Sequence, residues 1–326
     1  MQSTIRKQLL KLFSDHDGEF LSGQMLSEAL GCSRTAIWKH IEDLRKDGFE
    51  LEAVQRKGYR ILSKPDRLSG NEIQLGLKTN TFGRFVHYEE SVPSTRTIAH
   101  KLSYEGAPEG AIVVAEEQVA GRGRLDRSWF SPKYSGIWFH IILRPNIPPQ
   151  QAPQLTLLAA VSVVRGIKAA TGIQCEIKWP NDILLNGKKL VGILTELQAE
   201  TDQIHAVIIG IGINVNQQPE HFPDDLKKTA TSLAIEKGTK LNRSEILQAI
   251  LKEMENLYSD YLENGFQVVK LLWESHAVSI GKQITARTFN GTLTGKALGI
   301  TDDGVLLLQD HHGKIHHIYS ADIEII

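Results

Sequence analysis

The residues best suited to chemistry in this chain are Gly121-Arg122-Gly123-Arg124, set in the segment Ala120 to Pro132. Glycines let a backbone turn tightly and approach a ligand with no side chain in the way. Alternating arginines supply planar, permanently charged forks that match carboxylate and phosphate oxygens. Such a loop can hold a carboxylate beside a phosphate without a Walker sequence. The preceding run Ala111–Gln118 reads as a buried strand, so the loop leaves a rigid element. Two plainer readings compete. A single RGR is also at home in a solvated loop, and it occurs in RGG-type RNA-binding tracts. The tract reading fails because the motif does not repeat and apolar strands flank it.

Other charged and glycine-rich positions fall where a sheet is normally apolar. Lys178 ends a strand just before Trp179-Pro180, and Lys189 begins the strand Leu190–Leu194, in which Gly192 signals close approach of a ligand or another backbone. Lys189 can serve as a point charge for a phosphoryl group; spacing alone favours an ordinary turn residue beside Gly187-Lys188. Asp182 follows a proline and has three possible uses: a cap, a magnesium ligand, or a group that orients a nucleophile. Gly210–Asn216 (GIGINVN) lacks the third glycine of a dinucleotide fingerprint and runs into a polar loop where a helix is required, so that reading is rejected. The loop Gln217–Asp225 is a candidate lid.

The elements that must position these residues alternate between strands and helices. Phe85–Glu90 is a strand, with Ser94-Thr95 starting a helix to about Tyr104. Gly136–Leu143 is a continuous apolar strand, and Leu155–Ala170 is a buried helix ended by Gly172. Glu176–Trp179 is a strand. Ile183–Leu185 and Lys189–Leu197 form a hairpin about Asn186-Gly187, a strong type I′ signal. Ile204–Ile213 is a further strand. The set implies a mixed sheet packed against helices. Leu241–Trp273 supplies helices, and Ala277–Ile326 carries short strands at Gln283–Thr288, Gly291–Leu298, Gly304–Gln309 and Lys314–Tyr319. His311-His312 and His316-His317 could suggest a metal cluster, but alternation on two paired strands explains them as well, and no metal site is assigned.

The N-terminal pattern is different. A helix is expected near Thr4–Ser14. A second, capped by Ser22, runs to Leu30 with Met25, Leu26, Ala29 and Leu30 on its buried side. A third, capped by Ser33, runs from Arg34 to Lys46 with Ile37, Ile41 and Leu44 inward. Strands Phe49–Val54 and Tyr59–Leu62 follow, joined by Gln55–Gly58. This is the layout of a winged helix-turn-helix, whose third helix enters a major groove while the hairpin reaches phosphates. Ser33, Arg34, Thr35, Trp38 and Lys39, with Arg56 and Lys57, are the DNA-contact candidates. From Ser33 to Lys64 eight basic residues face five acidic ones, a small surplus that predicts weak binding by one copy and stronger binding by two. A helical protein-contact unit is the plainer alternative. Lys64–Gly70 is the best domain boundary, and a short helix follows at Asn71–Leu77.

Bulk properties bound these readings. The chain has 37 basic and 38 acidic residues, so no global field attracts nucleic acid and any such site is a local patch. Cys32 and Cys175 have no ligand spacing and fit a reducing compartment. With no signal core and no apolar run long enough for a bilayer, a soluble cytoplasmic protein without membrane contacts is expected.

Taken in order and spacing, Gly121–Arg124 with Trp129, Lys178–Asp182 (KWPND), Gly187–Ile193 and Gly210–Asn216 resemble the bifunctional biotin protein ligases that also repress the biotin operon. The resemblance covers nearly the whole chain. It implies an α+β multidomain protein: a winged helix-turn-helix (1–65), a mixed-sheet catalytic domain of class II synthetase type (70–274), and a C-terminal SH3-like β-barrel (277–326). It also implies the reaction. Biotin's carboxylate attacks the α-phosphate of ATP, delivered with Mg2+, and a lysine of a biotin carrier domain, such as that of acetyl-CoA carboxylase, then takes the biotinyl group from the adenylate. Catalysis would come from positioning and charge stabilisation. Ser94, Thr95 and Gln118 would contact biotin, and Arg122, Gly123 and Arg124 would close over it. Lys189 would hold the carboxyl and phosphate oxygens, with Asp182 assisting; Lys189, Arg122 and Asp182 form the catalytic set. Arg124, Trp129, Lys178 and Asn214 would serve the nucleotide. Bound adenylate would favour a homodimer on operator DNA. Where the family usually has Asn after Ser-Thr, this chain has Arg96, which puts a charge beside a neutral ring pocket. A ligand-sensing transcription factor and a lipoate-type ligase are the competing classes; the winged helix and the barrel count against the latter.

Overall fold

In the computed structural model, residues 4–16, 18–46, 48–63, 66–200, 203–289 and 291–326 are described; Asp47, Lys64 and Pro65, which enter the charge count and the boundary above, lie outside them. Helices α1 (Thr4–Asp15), α2 (Gly23–Leu30) and α3 (Arg34–Lys46) precede the antiparallel hairpin β1 (Glu50–Val54) and β2 (Gly58–Ser63). Ser22 Oγ accepts the Met25 N–H at 3.1 Å, and Ser33 Oγ accepts that of Ala36 at 3.2 Å. Both satisfy amides that have no partner inside a helix. Gly31 closes α2 at φ 61°. Leu9, Leu10, Phe13, Leu26, Ile37, Ile41, Leu44 and Phe49 form the core here. Met25 and Ala29 are exposed, against expectation, because α2 is only eight residues long and turns one narrow stripe inward. Gly58 must be glycine: a Cβ would lie 2.0 Å from the Leu21 carbonyl oxygen, where the wing is bonded to the chain before α2.

After α4 (Gly70–Gln74), shorter than expected, come β3 (Val86–Glu89), α5 (Thr95–Tyr104), β4 (Ala111–Ala115) and β5 (Gly136–Leu143). Next are α6 (Ala152–Thr171), β6 (Glu176–Lys178), β7 (Asp182–Leu185), β8 (Lys188–Ala199), β9 (Ile204–Asn214), α7 (Leu233–Lys237), α8 (Arg243–Asn264) and α9 (Gln267–His276). Seven strands pair in the order β3-β4-β5-β9-β8-β7-β6, and only β3 with β4 is parallel. Alternate residues of β5 serve opposite faces. Ile137, Phe139 and Ile141 join the core with α6 and α8, whereas Ile142 packs under α5 with Ala111 and Ala206. This second face is the more thinly covered one, beneath α5.

The C-terminal strands are β10 (Gln283–Thr288), β11 (Gly291–Ile300), β12 (Leu306–Gln309), β13 (Ile315–Ile318) and β14 (Asp322–Ile325). They form one antiparallel sheet, β13-β12-β11-β10-β14. Gly304 and Val305 lie before β12 rather than in it, and β14 has no counterpart in the sequence reading. His311 and His312 sit in the turn between strands, and His316 is bonded to Asp310 at 2.7 Å, so strand alternation accounts for only half of the histidines. No helix among the described residues is long and apolar enough to cross a membrane.

Candidate active site and DNA-facing surface

Three glycines open a cavity of about 280 Å³ on that surface. Gly192 on β8 and Gly212 on β9 are cross-strand partners, and Trp129 lies across both. A Cβ on Gly212 would stand 2.3 Å from Trp129 Nε1, and one on Gly192 2.9 Å from Trp129 Cζ3. Gly210 makes the same room for His140, at 2.4 Å. The close approach signalled by Gly192 is thus made by an indole of the chain itself. Trp129 meets Trp138 edge-on at 6.5 Å and has the Lys189 ammonium 5.5 Å from its ring centroid.

The arginine loop arches over this platform. Gly123 N–H donates to Arg127 O and Trp129 N–H to Gly121 O, which folds the segment on itself. Leu125 and Asp126 take φ 53° and 58° at the tip, a conformation costly for side-chain-bearing residues. Leu125, an apolar side chain at that tip, is 77% exposed. The Arg122 side chain donates to the Asp126 carbonyl of its own loop, at 3.0 Å. Arg124 donates to Asn181 Oδ1 and to Ser320 Oγ, both at 2.9 Å, and Arg127 donates to Asp322 at 2.5 Å. The loop is therefore tied to the KWPND segment and to the chain just before and at the start of β14.

Beside the α5 terminus the cavity is polar but uncharged. Thr95 donates its backbone N–H and its hydroxyl to Gln118 Oε1, each at 2.9 Å, and Gln118 Nε2 donates to Ser131 Oγ at 3.1 Å. Since the Thr95 proton is engaged by Gln118, the 2.8 Å contact between Thr95 Oγ1 and His140 Nδ1 has the imidazole as donor. Burial lowers the His140 pKa to about 3, so the ring is neutral, and its Nε2 lacks a partner among the described residues. Ser94 caps α5 through its bond to the Arg96 N–H and stands next to this cluster, not on the cavity wall.

The charged side of the same cavity carries Lys189, paired with Asp182 at 2.7 Å. The Lys189 backbone is held from both directions, by Thr229 O and Thr231 N–H, so the segment after the polar loop fixes the lysine. Asn214 lines the wall and accepts a bond from Gln217. Of the expected residues, Thr95, Gln118, Arg122, Gly123, Arg124, Trp129, Asp182, Lys189 and Asn214 converge on the cavity; Lys178, on the edge strand β6, does not line it. Of the polar loop expected as a lid, Phe222 reaches the wall, followed by Leu226.

Arg96 does not crowd the pocket. It forms a two-pronged pair with Glu196 on β8, and His100 approaches the same carboxylate at 3.2 Å. Burial pushes the Glu196 carboxyl up, but Arg96 and His100 outweigh it and hold the group below its ordinary range. The sequence reading assigned no role to His140, Asn181, Arg127, Ser320 or Asp322. His140 had a signal as a polar residue in the middle of an apolar strand, and Asn181 and Arg127 lay inside segments already singled out; Ser320 and Asp322 had none.

On α3, Arg34, Thr35, Lys39 and Trp38 (54% exposed) form an outward row, with Ser33 at its cap. Arg45, Lys46 and Arg60 are paired with Glu42, Asp43 and Glu52. The surplus of charge therefore falls on Arg34 and Lys39 and on Arg56 and Lys57 at the exposed wing tip.

This combination of a helix-turn-helix unit and a mixed-sheet ligand cavity covered by an arginine loop is matched among known proteins. Residues 88–214 match the Biotin/lipoate A/B protein ligase family, residues 5–60 an HTH domain, and residues 279–325 the Biotin protein ligase C terminal domain. The Bifunctional ligase/repressor BirA of Bacillus subtilis is 59% identical over 325 residues, covering 100% of both chains. Its Escherichia coli namesake is 29% identical over 94% of this chain and 93% of its own. The solved biotin protein ligase of Aquifex aeolicus, in complex with biotin and ATP, aligns with a TM-score of 0.64 and 30% identity over 74% of this chain and 99% of its own. The chain belongs to the biotin/lipoate protein ligase family, in the branch that carries an N-terminal helix-turn-helix.

Proposed function

We propose that this protein is a biotin protein ligase that also acts as a biotin-dependent transcriptional repressor. The observation that carries the proposal is one cavity holding both a neutral hydrogen-bonding cluster (Thr95, Gln118, His140) and a cationic set (Lys189, Arg122, Arg124). The neutral cluster suits a ring with N–H and C=O groups, such as the ureido ring of biotin; a dithiolane ring offers it nothing to bond. The cations suit a carboxylate meeting a phosphate.

In the first step a biotin carboxylate oxygen bonds to the α-phosphorus of ATP, and the bond from that phosphorus to the bridging oxygen breaks, releasing pyrophosphate. Lys189 and Arg124 stabilise the charge shared by carboxylate and phosphate oxygens, and Asp182 holds the Lys189 ammonium in place. Arg122, on the exposed loop, closes over the product, and Trp129 with Asn214 supports the nucleotide. Magnesium enters with ATP. In the second step a lysine amine of a biotin carrier domain attacks the acyl carbon, AMP leaves, and Asp182 is the carboxylate available to the amine proton. Ser94 fixes the α5 terminus from which Thr95 bonds.

The division into units 1–65, 70–274 and 277–326 gives each activity its own scaffold. Residues 33–39 with Arg56 and Lys57 contact operator DNA. The adenylate favours a homodimer, and the protein works in the cytoplasm. Incubating the protein with ATP, biotin and a purified biotin carrier domain tests the ligase half. One biotinyl mass increment on one carrier lysine, with release of AMP, is expected. An unmodified carrier under conditions where ATP and biotin are bound refutes it.

A further inference from the structure

Just after the wing the chain is gripped at Asp66 and Leu68, within the stretch that the sequence marks as a domain boundary. Arg243, the first residue of α8, is fully buried. Its Nε donates to Asp66 Oδ1 at 2.9 Å, Nη2 to the Asp66 carbonyl at 2.6 Å, and its backbone N–H to Asp66 Oδ1 at 3.3 Å. Its Nη1 donates to Glu116 Oε2 at 2.7 Å and to Gly136 O at 3.0 Å. Glu116, also fully buried, accepts the Leu68 N–H at 2.8 Å on its other oxygen. Asn216 Nδ2 donates to Asp66 Oδ2 at 3.1 Å.

Both partners adjoin the ligand cavity. Glu116 is two residues before Gln118, and Asn216 is two residues after Asn214, each a lining residue. A ligand that restrains Gln118 and Asn214 therefore restrains the two groups that hold Asp66 and Leu68. The Arg243–Glu116 and Leu68–Glu116 bonds are buried and tolerate little displacement, whereas the Asp66 bonds are only partly buried, so Asp66 is the point at which the strap can seat or release.

We infer that Asp66 is a positioning residue: seated on Arg243 and Asn216, it carries cavity occupancy to the DNA-binding unit. This rests on the ligase/repressor reading, and the ligand must favour the seated state over the released one. Asp66 is the member to perturb, because its side chain is 37% exposed. In Asp66→Ala the buried Arg243 keeps Glu116 as its counter-charge.

The test uses the full-length protein and a duplex selected by the wild type from a random pool in the presence of biotin and ATP. In the wild type, biotin with ATP raises affinity for that duplex; in Asp66→Ala and Asp66→Asn this gain falls by at least about 5-fold, the low end of usual site–site coupling. Adenylate formation and the ligand-free affinity stay at wild-type levels. A merely structural role would lower both affinities together. Hydrogen exchange supplies the second readout: biotin with ATP slows exchange of the Leu68 amide in the wild type and not in Asp66→Ala. If the wild type gains no DNA affinity with ligand, the repressor reading fails; if it gains and both variants gain equally, or Leu68 exchange ignores ligand, the strap proposal is overturned.

Discussion

Gly212→Ala tests the glycine platform most sharply. The added methyl would stand 2.3 Å from Trp129 Nε1 and 2.5 Å from Cε2, against the roughly 3.5 Å that carbon contacts need. The indole must therefore retreat by about 1 Å. It cannot do so freely, because the Trp129 backbone N–H is bonded to Gly121 O and the ring packs edge-to-face with Trp138. Overpacking of this kind costs about 1–3 kcal/mol of stability. The larger effect is on rate: the ring lies 5.5 Å from Lys189, and a misplacement of about 1 Å in a reacting assembly lowers rate by about 100-fold. Biotin-dependent pyrophosphate release gives kcat and KM, and denaturant unfolding gives stability. Trp129→Leu in the Gly212→Ala background relieves the clash and restores part of the lost stability. A Gly212→Ala enzyme with wild-type kcat/KM would refute the reasoning, as would equal stability losses with and without Trp129.

Other consequences follow from individual groups. Lys189→Ala lowers adenylation by roughly 100- to 1000-fold, as loss of one charge-stabilising donor usually does, while unfolding stays near wild type because the pair with Asp182 is partly exposed; stopped assays with limiting ATP measure it. Arg34→Ala weakens DNA binding by roughly 10-fold and leaves biotin transfer unchanged, measured by band shift and carrier labelling. His140 is held neutral with a pKa near 3 in the folded protein, so the unfolded chain binds the extra proton between about pH 3 and 6.5. Its contribution to stability is present above pH 6.5 and is lost as pH falls, by about 2 kcal/mol at pH 5. Unfolding at pH 7 and pH 5 should show that loss shrinking in His140→Asn.

Local chemistry was legible in the sequence wherever one short segment decides the outcome. Asn186-Gly187 turns with φ 51° and 76°, as the I′ reading requires, and Gly31 and Gly172 end their helices in the left-handed region. Ser22 and Ser33 cap the N-terminal helices where expected. Most of the cavity was legible too, because its residues sit in short motifs with strong composition. What escaped depends on distance along the chain. Asp322 and Ser320 reach the arginine loop from almost two hundred residues away, and β14 has no turn signal of its own. Arg243 looks like an ordinary helix-start residue until Asp66 and Glu116 close on it. Gly192 was recognised as a point of close approach, but the sequence could not say that Trp129 makes it. Arg96 appeared to threaten the pocket only because Glu196, a hundred residues on, could not be seen beside it.

The central claim is that one cavity activates the biotin carboxylate with ATP. Mixing the pure protein with biotin and ATP, without any carrier domain, and analysing the products by mass spectrometry tests it most directly. Biotinyl-5′-adenylate and pyrophosphate should accumulate together, up to one equivalent per cavity, and neither should form with lipoate. Pyrophosphate with lipoate but not with biotin, or no adenylate with either acid, would contradict the account.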